Sequence, residues 1–253
     1  MGERNWSDYS ALFGLESLTR RLKILSAAFA NHRFERRSPI PAIDERLLEH
    51  IQSREVLLPP RRHLVQEGMQ SLEGLIFLAS LVKTIEVTTV FEIGTFMGAT
   101  TWTLALNAPD AAVHTLDIPP QTRASLPLET SDRHRGAPDS LLYRGTTAEE
   151  LITQHWSDSA KFDFSPYFGA VDLILVDAAH SREYVQNDSE NAMKLMSPAG
   201  AVVWDDYWRL SPGVSTTLDK LSNSVALYRV PQTRLVVHLS RGALQRIEAS
   251  TAP

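Results

Sequence analysis

Phe91-Glu92-Ile93-Gly94-Thr95-Phe96-Met97-Gly98-Ala99-Thr100 decides the fold. Just upstream, Val87-Thr88-Thr89-Val90 is rich in β-branched residues, and the run as far as Ile93 reads as a short buried parallel strand. Gly94 ends it and lets the chain turn sharply. Gly98 lets backbone come close to a ligand, a role a Cβ would obstruct. Thr100 to Leu106 reads as the helix after the turn. Val113-His114-Thr115-Leu116-Asp117 is a second strand, and Asp117 stands 23 residues after Gly94. A carboxylate at that strand end can accept both hydroxyl protons of a ribose. The dinucleotide fingerprint Gly-x-Gly-x-x-Gly is not matched. Glu92 would repel a pyrophosphate and suit a ligand with a positive group, such as an amino-acid ammonium. This argues against a nicotinamide dehydrogenase.

Reading onward, Leu141 to Arg144 is expected as the third strand and Val171 to Val176 as the fourth, hydrophobic apart from Asp172. A helix follows from Ser181 to Met196. Ala201 to Trp204 is the fifth strand, entered through Ser197-Pro198-Ala199-Gly200. After a helix from Ser215 to Ser222, Val225 to Val230 and Leu235 to Leu239 flank Pro231-Gln232-Thr233 as an antiparallel hairpin. Strands alternating with helices predict an α/β fold, a doubly wound Rossmann-like parallel sheet with helices on both faces. Residues 118–140 contain Pro119, Pro120, Pro127, Gly136 and Pro138, and read as a long loop where a crossover helix would otherwise run.

Reading backward, a helix is expected from Gln66 to about Ile85. Residues 1–66 form a helical N-terminal extension, and 67–253 the ligand-binding domain. Leu12, Leu15, Leu18, Leu22, Leu25 and Phe29 recur at helical spacing, Ser38-Pro39-Ile40-Pro41 breaks that helix, and a second one starts near Asp44. The extension offers either a dimerisation surface for a homo-oligomer or, like the 118–140 loop, a lid.

The chain has 253 residues, 43% of them hydrophobic, enough for one sizeable core. Its net charge of −5 argues against nucleic acid and anionic membranes as partners. The absence of cysteine excludes disulfides and thiolate chemistry. No apolar run approaches the ~20 residues of a membrane span, and the polar start of the chain predicts a cytoplasmic protein.

A second acidic set carries the chemistry. Asp177 ends the fourth strand, and Asp205 and Asp206 end the fifth. Adjacent parallel strands bring their carboxyl ends together over the ligand crevice, so three carboxylates would converge and repel one another. A hard divalent cation resolves that conflict, with magnesium, calcium or manganese favoured over zinc by oxygen ligands. His180, three residues after Asp177, is a candidate base, because its ordinary pKa of about 6.5 lets it take a proton at neutral pH. Tyr207 and Trp208 are candidates for an aromatic wall.

Phe91 to Thr100 resembles the first motif of class I methyltransferases that use S-adenosyl-L-methionine, and the resemblance spans roughly Gln66 to Leu239. It implies a seven-stranded sheet with an antiparallel terminal hairpin. It also implies a cofactor site made of Glu92, Gly94, Thr95, Phe96, Gly98, Thr100 and Asp117, with Thr146 and Thr147 near the adenine. Asp177-Ala178-Ala179-His180 with Asp205-Asp206 resembles the magnesium-dependent O-methyltransferases of the catechol type. It is more similar to the macrolide-sugar enzymes, which pair a histidine with two adjacent aspartates. The resemblance implies a Mg2+ site on Asp177, Asp205 and Asp206, catalytic roles for His180 and Asp177, and a small-molecule hydroxyl acceptor. The acceptor would be a vicinal diol or a sugar-bearing natural product. A non-catalytic S-adenosylmethionine-binding protein, an N-methyltransferase or an aminopropyltransferase-like enzyme on the same fold needs no three-carboxylate site.

Overall fold

The structure, a computed structural model, describes residues 34–64, 68–129, 132 and 140–250. Seven strands form one sheet in the order β3-β2-β1-β4-β5-β7-β6. They are β1 Thr89–Ile93, β2 Ala112–Asp117, β3 Ile152–Trp156, β4 Val171–Val176, β5 Met196–Trp204, β6 Tyr228–Arg229 and β7 Val236–Leu239. The first five are mutually parallel, while β7 runs antiparallel to both β5 and β6.

Alternation along each strand sorts its side chains between the two faces. Val90, Leu173, Leu175, Ala201 and Val203 face one core cluster. There they meet helices α1 Glu45–Gln52, α2 Leu72–Thr84, α3 Ala99–Asn107 and α6 Arg241–Ala249. Phe91, Ile93, Ile174, Val176, Val202 and Trp204 face the other cluster, shared with α4 Arg182–Leu195 and α5 Pro212–Leu221. Burial on both faces explains why β4 reads as a continuous apolar run. Its one exception, Asp172, accepts hydrogen bonds from Thr88 N and Oγ1 at 2.8 Å each and from Ser197 Oγ at 2.8 Å. It lies where the β4–β5 register shifts.

Asp44 caps α1, accepting from Arg46 N and Leu47 N. The α2 helix starts at Leu72, capped by Ser71, and residues 68–71 are not helical, so the expected start at Gln66 is corrected. The described part of the N-terminal extension packs into both core clusters through Ile40, Ile43 and Ile51. It also extends the sheet edge, where Ile43 N donates to Arg229 O at 2.9 Å and Arg229 N to Pro41 O at 2.8 Å. The expected helix through Leu12 to Phe29 lies outside the described residues.

One strand is misplaced in the sequence reading. Leu141–Arg144 is a turn, and the third strand is Ile152–Trp156, preceded by a 3-10 turn at Thr147–Leu151. Leu141 and Tyr143 are hydrophobic for another reason: both are buried, and the Tyr143 ring lies against Gly98. Helix α6 was not anticipated. Described residues of the 118–140 loop contain no strand or α-helix. None of the described helices is long and apolar enough to cross a membrane.

Candidate active site

The strand register builds the site. Ile93 pairs with Leu116 and with Val176, and Val176 pairs with Trp204. The next row therefore holds Asp117, Gly94, Asp177 and Asp205 at the carboxyl edge of the sheet. Backbone bonds lock that row: Gly94 N to Leu116 O at 2.8 Å, Asp177 N to Ile93 O at 2.8 Å and Asp205 N to Val176 O at 3.1 Å. Gly94 has φ +107°, and a Cβ on it would lie 1.9 Å from the Asp177 carbonyl oxygen, so no other residue fits that crossing.

A cavity opens above this row. Its walls include Gly94, Phe96, Asp117 and Ile118 on one side and Asp177, His180, Asp205, Asp206 and Arg234 on the other. Described residues Ala124, Leu128 and Asp132 of the long loop complete it with Ser157–Ser159 after β3. Asp117 holds the glycine turn in place, accepting from Phe96 N at 2.9 Å and Ile118 N at 2.8 Å. Asp158 and Tyr184 tether the loop: Ser125 N donates to Asp158 Oδ2 at 2.7 Å and to the Tyr184 hydroxyl at 3.1 Å.

Several expected ligand residues lie elsewhere. Glu92 points away from the cavity into the protein, where the hydroxyls of Thr101 and Thr115 donate to its carboxylate. Burial raises its pKa to about 7 against those hydrogen bonds, so its proposed attraction for a ligand ammonium is corrected. Thr95 is buried and bonded to Thr115 Oγ1 at 2.7 Å. Gly98 makes room for Tyr143 rather than for a ligand, since a Cβ there would sit 2.7 Å from that ring. Thr100 is buried in the first turn of α3 and is not among the cavity walls. Thr146 and Thr147 precede β3 instead of following it, and the Thr146 hydroxyl donates to Tyr143 O at 2.6 Å. The strand-exit position expected of them belongs to Ser157 and Asp158. Tyr207 is no cavity wall either: its hydroxyl bonds Ser38 Oγ and Asp219 Oδ1, each at 2.6 Å, and its ring packs on Phe34.

Asp177, Asp205 and Asp206 converge, each offering one oxygen within 4.8 Å of the others. Burial first, and the neighbouring aspartates second, raise Asp177 well above the usual carboxylate range and Asp205 to about 6. Asp205 Oδ1 is buried without a hydrogen-bond partner. An orphaned, buried oxygen in a repelling carboxylate group fits a hard divalent cation.

Two residues invisible to the sequence reading join this group. Arg234, ahead of β7, reaches Asp206 Oδ1 at 2.9 Å and Asp205 Oδ2 at 3.3 Å. Asp132, in the long loop, bonds His180 through its carboxylate, which also accepts from His180 N at 3.0 Å. His180 Nε2 lies 2.5 Å from Asp206 Oδ2. Burial alone would depress the imidazole, but the two carboxylates outweigh it and raise the pKa to about 10. The expectation of a histidine at its ordinary pKa of about 6.5 is corrected: the Asp132 and Asp206 carboxylates favour its protonated form. Asp206 moves the other way, because His180 and Arg234 overcome the effect of burial and lower its pKa. Neither Arg234 nor Asp132 lies in a local motif. Only the fold brings them in.

Residues 91–207 match a family model described as a methyltransferase domain. No curated protein matches the sequence. Among solved structures, the chain is similar to the O-methyltransferase TomG of Streptomyces achromogenes, involved in tomaymycin synthesis and solved with S-adenosylmethionine. That likeness has 18% identity and a TM-score of 0.51, covering 85% of this chain and 98% of TomG. The O-methyltransferase NovP gives 14% identity and a TM-score of 0.51, covering 67% of this chain and 80% of NovP. The chain shares the fold of these two structures.

Proposed function

We propose that this chain, whose residues 91–207 match a methyltransferase-domain family, is an S-adenosyl-L-methionine-dependent O-methyltransferase. Its acceptor is a hydroxyl of a small molecule, a vicinal diol or a sugar-bearing natural product. The observation that carries this reading is the placement of Asp177, Asp205 and Asp206 on the same cavity as Asp117. One end of the cavity suits a ribose. The other suits a cation that binds neighbouring oxygens.

In this reading Asp117 accepts from the ribose hydroxyls, and Phe96 and Ile118 line the nucleoside side. Asp177, Asp205 and Asp206 hold a divalent cation, Mg2+ by the hardness of their oxygens. When bound, it supplies Lewis acidity to the acceptor hydroxyl. Asp132 orients His180 through Nδ1, leaving Nε2 directed at the carboxylate group. His180 receives the acceptor proton in its neutral form, so its work requires relief from the pull of Asp132 and Asp206, which together favour the protonated form. Positioning and charge neutralisation supply most of the rate enhancement.

Methyl transfer from labelled S-adenosylmethionine to a panel of catechols and glycosides, with and without a chelator, tests the proposal. Turnover lost in chelator and restored by Mg2+ is the expected result. Undiminished turnover in chelator, or methylation confined to amines, contradicts it.

A further inference from the structure

The carboxylate group is already bridged by a cation of the chain itself. Arg234 donates through Nη1 to Asp206 at 2.9 Å and through Nη2 to Asp205 at 3.3 Å. These are two of the three ligands in the metal reading above, on which this inference rests. With His180 Nε2 on Asp206 Oδ2 at 2.5 Å, both Asp206 oxygens face a basic group. On Asp205 only Oδ1 is left over, buried and unpartnered.

A guanidinium and a divalent cation compete for the same lone pairs. Held against the same two carboxylates, in a site partly shielded from water, they also repel each other as like charges. We propose that Arg234 is the internal counter-ion of this site, holding Asp205 and Asp206 together in the metal-free protein and swinging aside when a divalent cation binds. It has somewhere to go. Its side chain is 31% exposed, and its Cζ already lies 5.6 Å from the centroid of the Trp208 ring, an aromatic face that accepts a displaced guanidinium. Metal affinity is then lower than three converging carboxylates alone would give, and cation binding is coupled to the position of Arg234.

Titration of Mn2+ into the full chain by calorimetry, on wild type, Arg234→Gln and Arg234→Lys, tests this, with thermal unfolding in chelator and in saturating Mn2+ as the second readout. Arg234→Gln should bind Mn2+ at least ten-fold more tightly than wild type. It should melt lower in chelator and gain more from Mn2+. Arg234→Lys keeps the charge but loses the bidentate fork, and should fall between the two. If wild type binds Mn2+ and both variants bind it no more tightly, Arg234 is no competitor and this inference fails while the metal reading stands. If folded wild type and variants all fail to bind Mn2+, both fail. Should Arg234→Gln not fold, Arg234→Lys decides: affinity unchanged from wild type overturns the proposal.

Discussion

At the scale of single residues, the site is a contest between burial and pairing. Glu92 shows burial winning: its carboxyl is pushed up to about 7 despite two threonine hydroxyls. The folded chain thus holds that proton more tightly than the unfolded chain does. Stability from this group is fully present below about pH 4.5 and declines as pH rises through about 7. Glu92→Gln removes the ionisation. Compared with wild type across pH 5 to 8, its melting temperature should rise progressively, by about 5 °C over the range. A constant difference at every pH contradicts the placement of Glu92. His180 shows pairing winning, with two carboxylates overriding burial. His180→Asn should lower kcat by about 100-fold or more with little change in S-adenosylmethionine binding. An unchanged kcat removes the histidine from the proposed chemistry.

At the scale of elements, legibility followed burial and continuity. The β1, β2 and β4 strands were readable because they lie inside the sheet, so apolar or β-branched residues dominate them despite Glu92, His114 and Asp172. Edge strand β3, Ile-Thr-Gln-His-Trp, is only partly buried and carries no such signal. The stronger hydrophobicity of Leu141 and Tyr143 belonged to a turn packed under the glycine loop. The error propagated to Thr146 and Thr147, whose proposed role depended on following a strand. The described part of the 118–140 stretch was legible as a loop from Pro119, Pro120 and Pro127, but its attachment was not. Tyr184 and Asp158, on separate elements, hold it through Ser125. Tyr184→Phe should preserve the fold, speed amide exchange at Ser125 and Leu126 by about ten-fold and weaken S-adenosylmethionine binding several-fold. Unaltered exchange at those amides would show that the tether does not hold the loop.

At the scale of the whole molecule, topology gathers what the chain keeps apart. Parallel register alone puts Asp117, Asp177 and Asp205 on one row, which is why the aspartates at the strand ends could be read from sequence. Asp132 and Arg234 enter from a loop and from the antiparallel end of the sheet. No spacing rule connects them to Asp206, 74 and 28 positions away. The same gathering makes the central claim testable in one place. Crystals grown with Mn2+ and S-adenosylhomocysteine should show an anomalous peak about 2.2 Å from carboxylate oxygens of Asp177, Asp205 and Asp206, beside a nucleoside on Asp117. Bound nucleoside with no anomalous peak, and Arg234 still bridging Asp205 and Asp206, would contradict the metal-assisted account and leave a methyltransferase fold working without a cation.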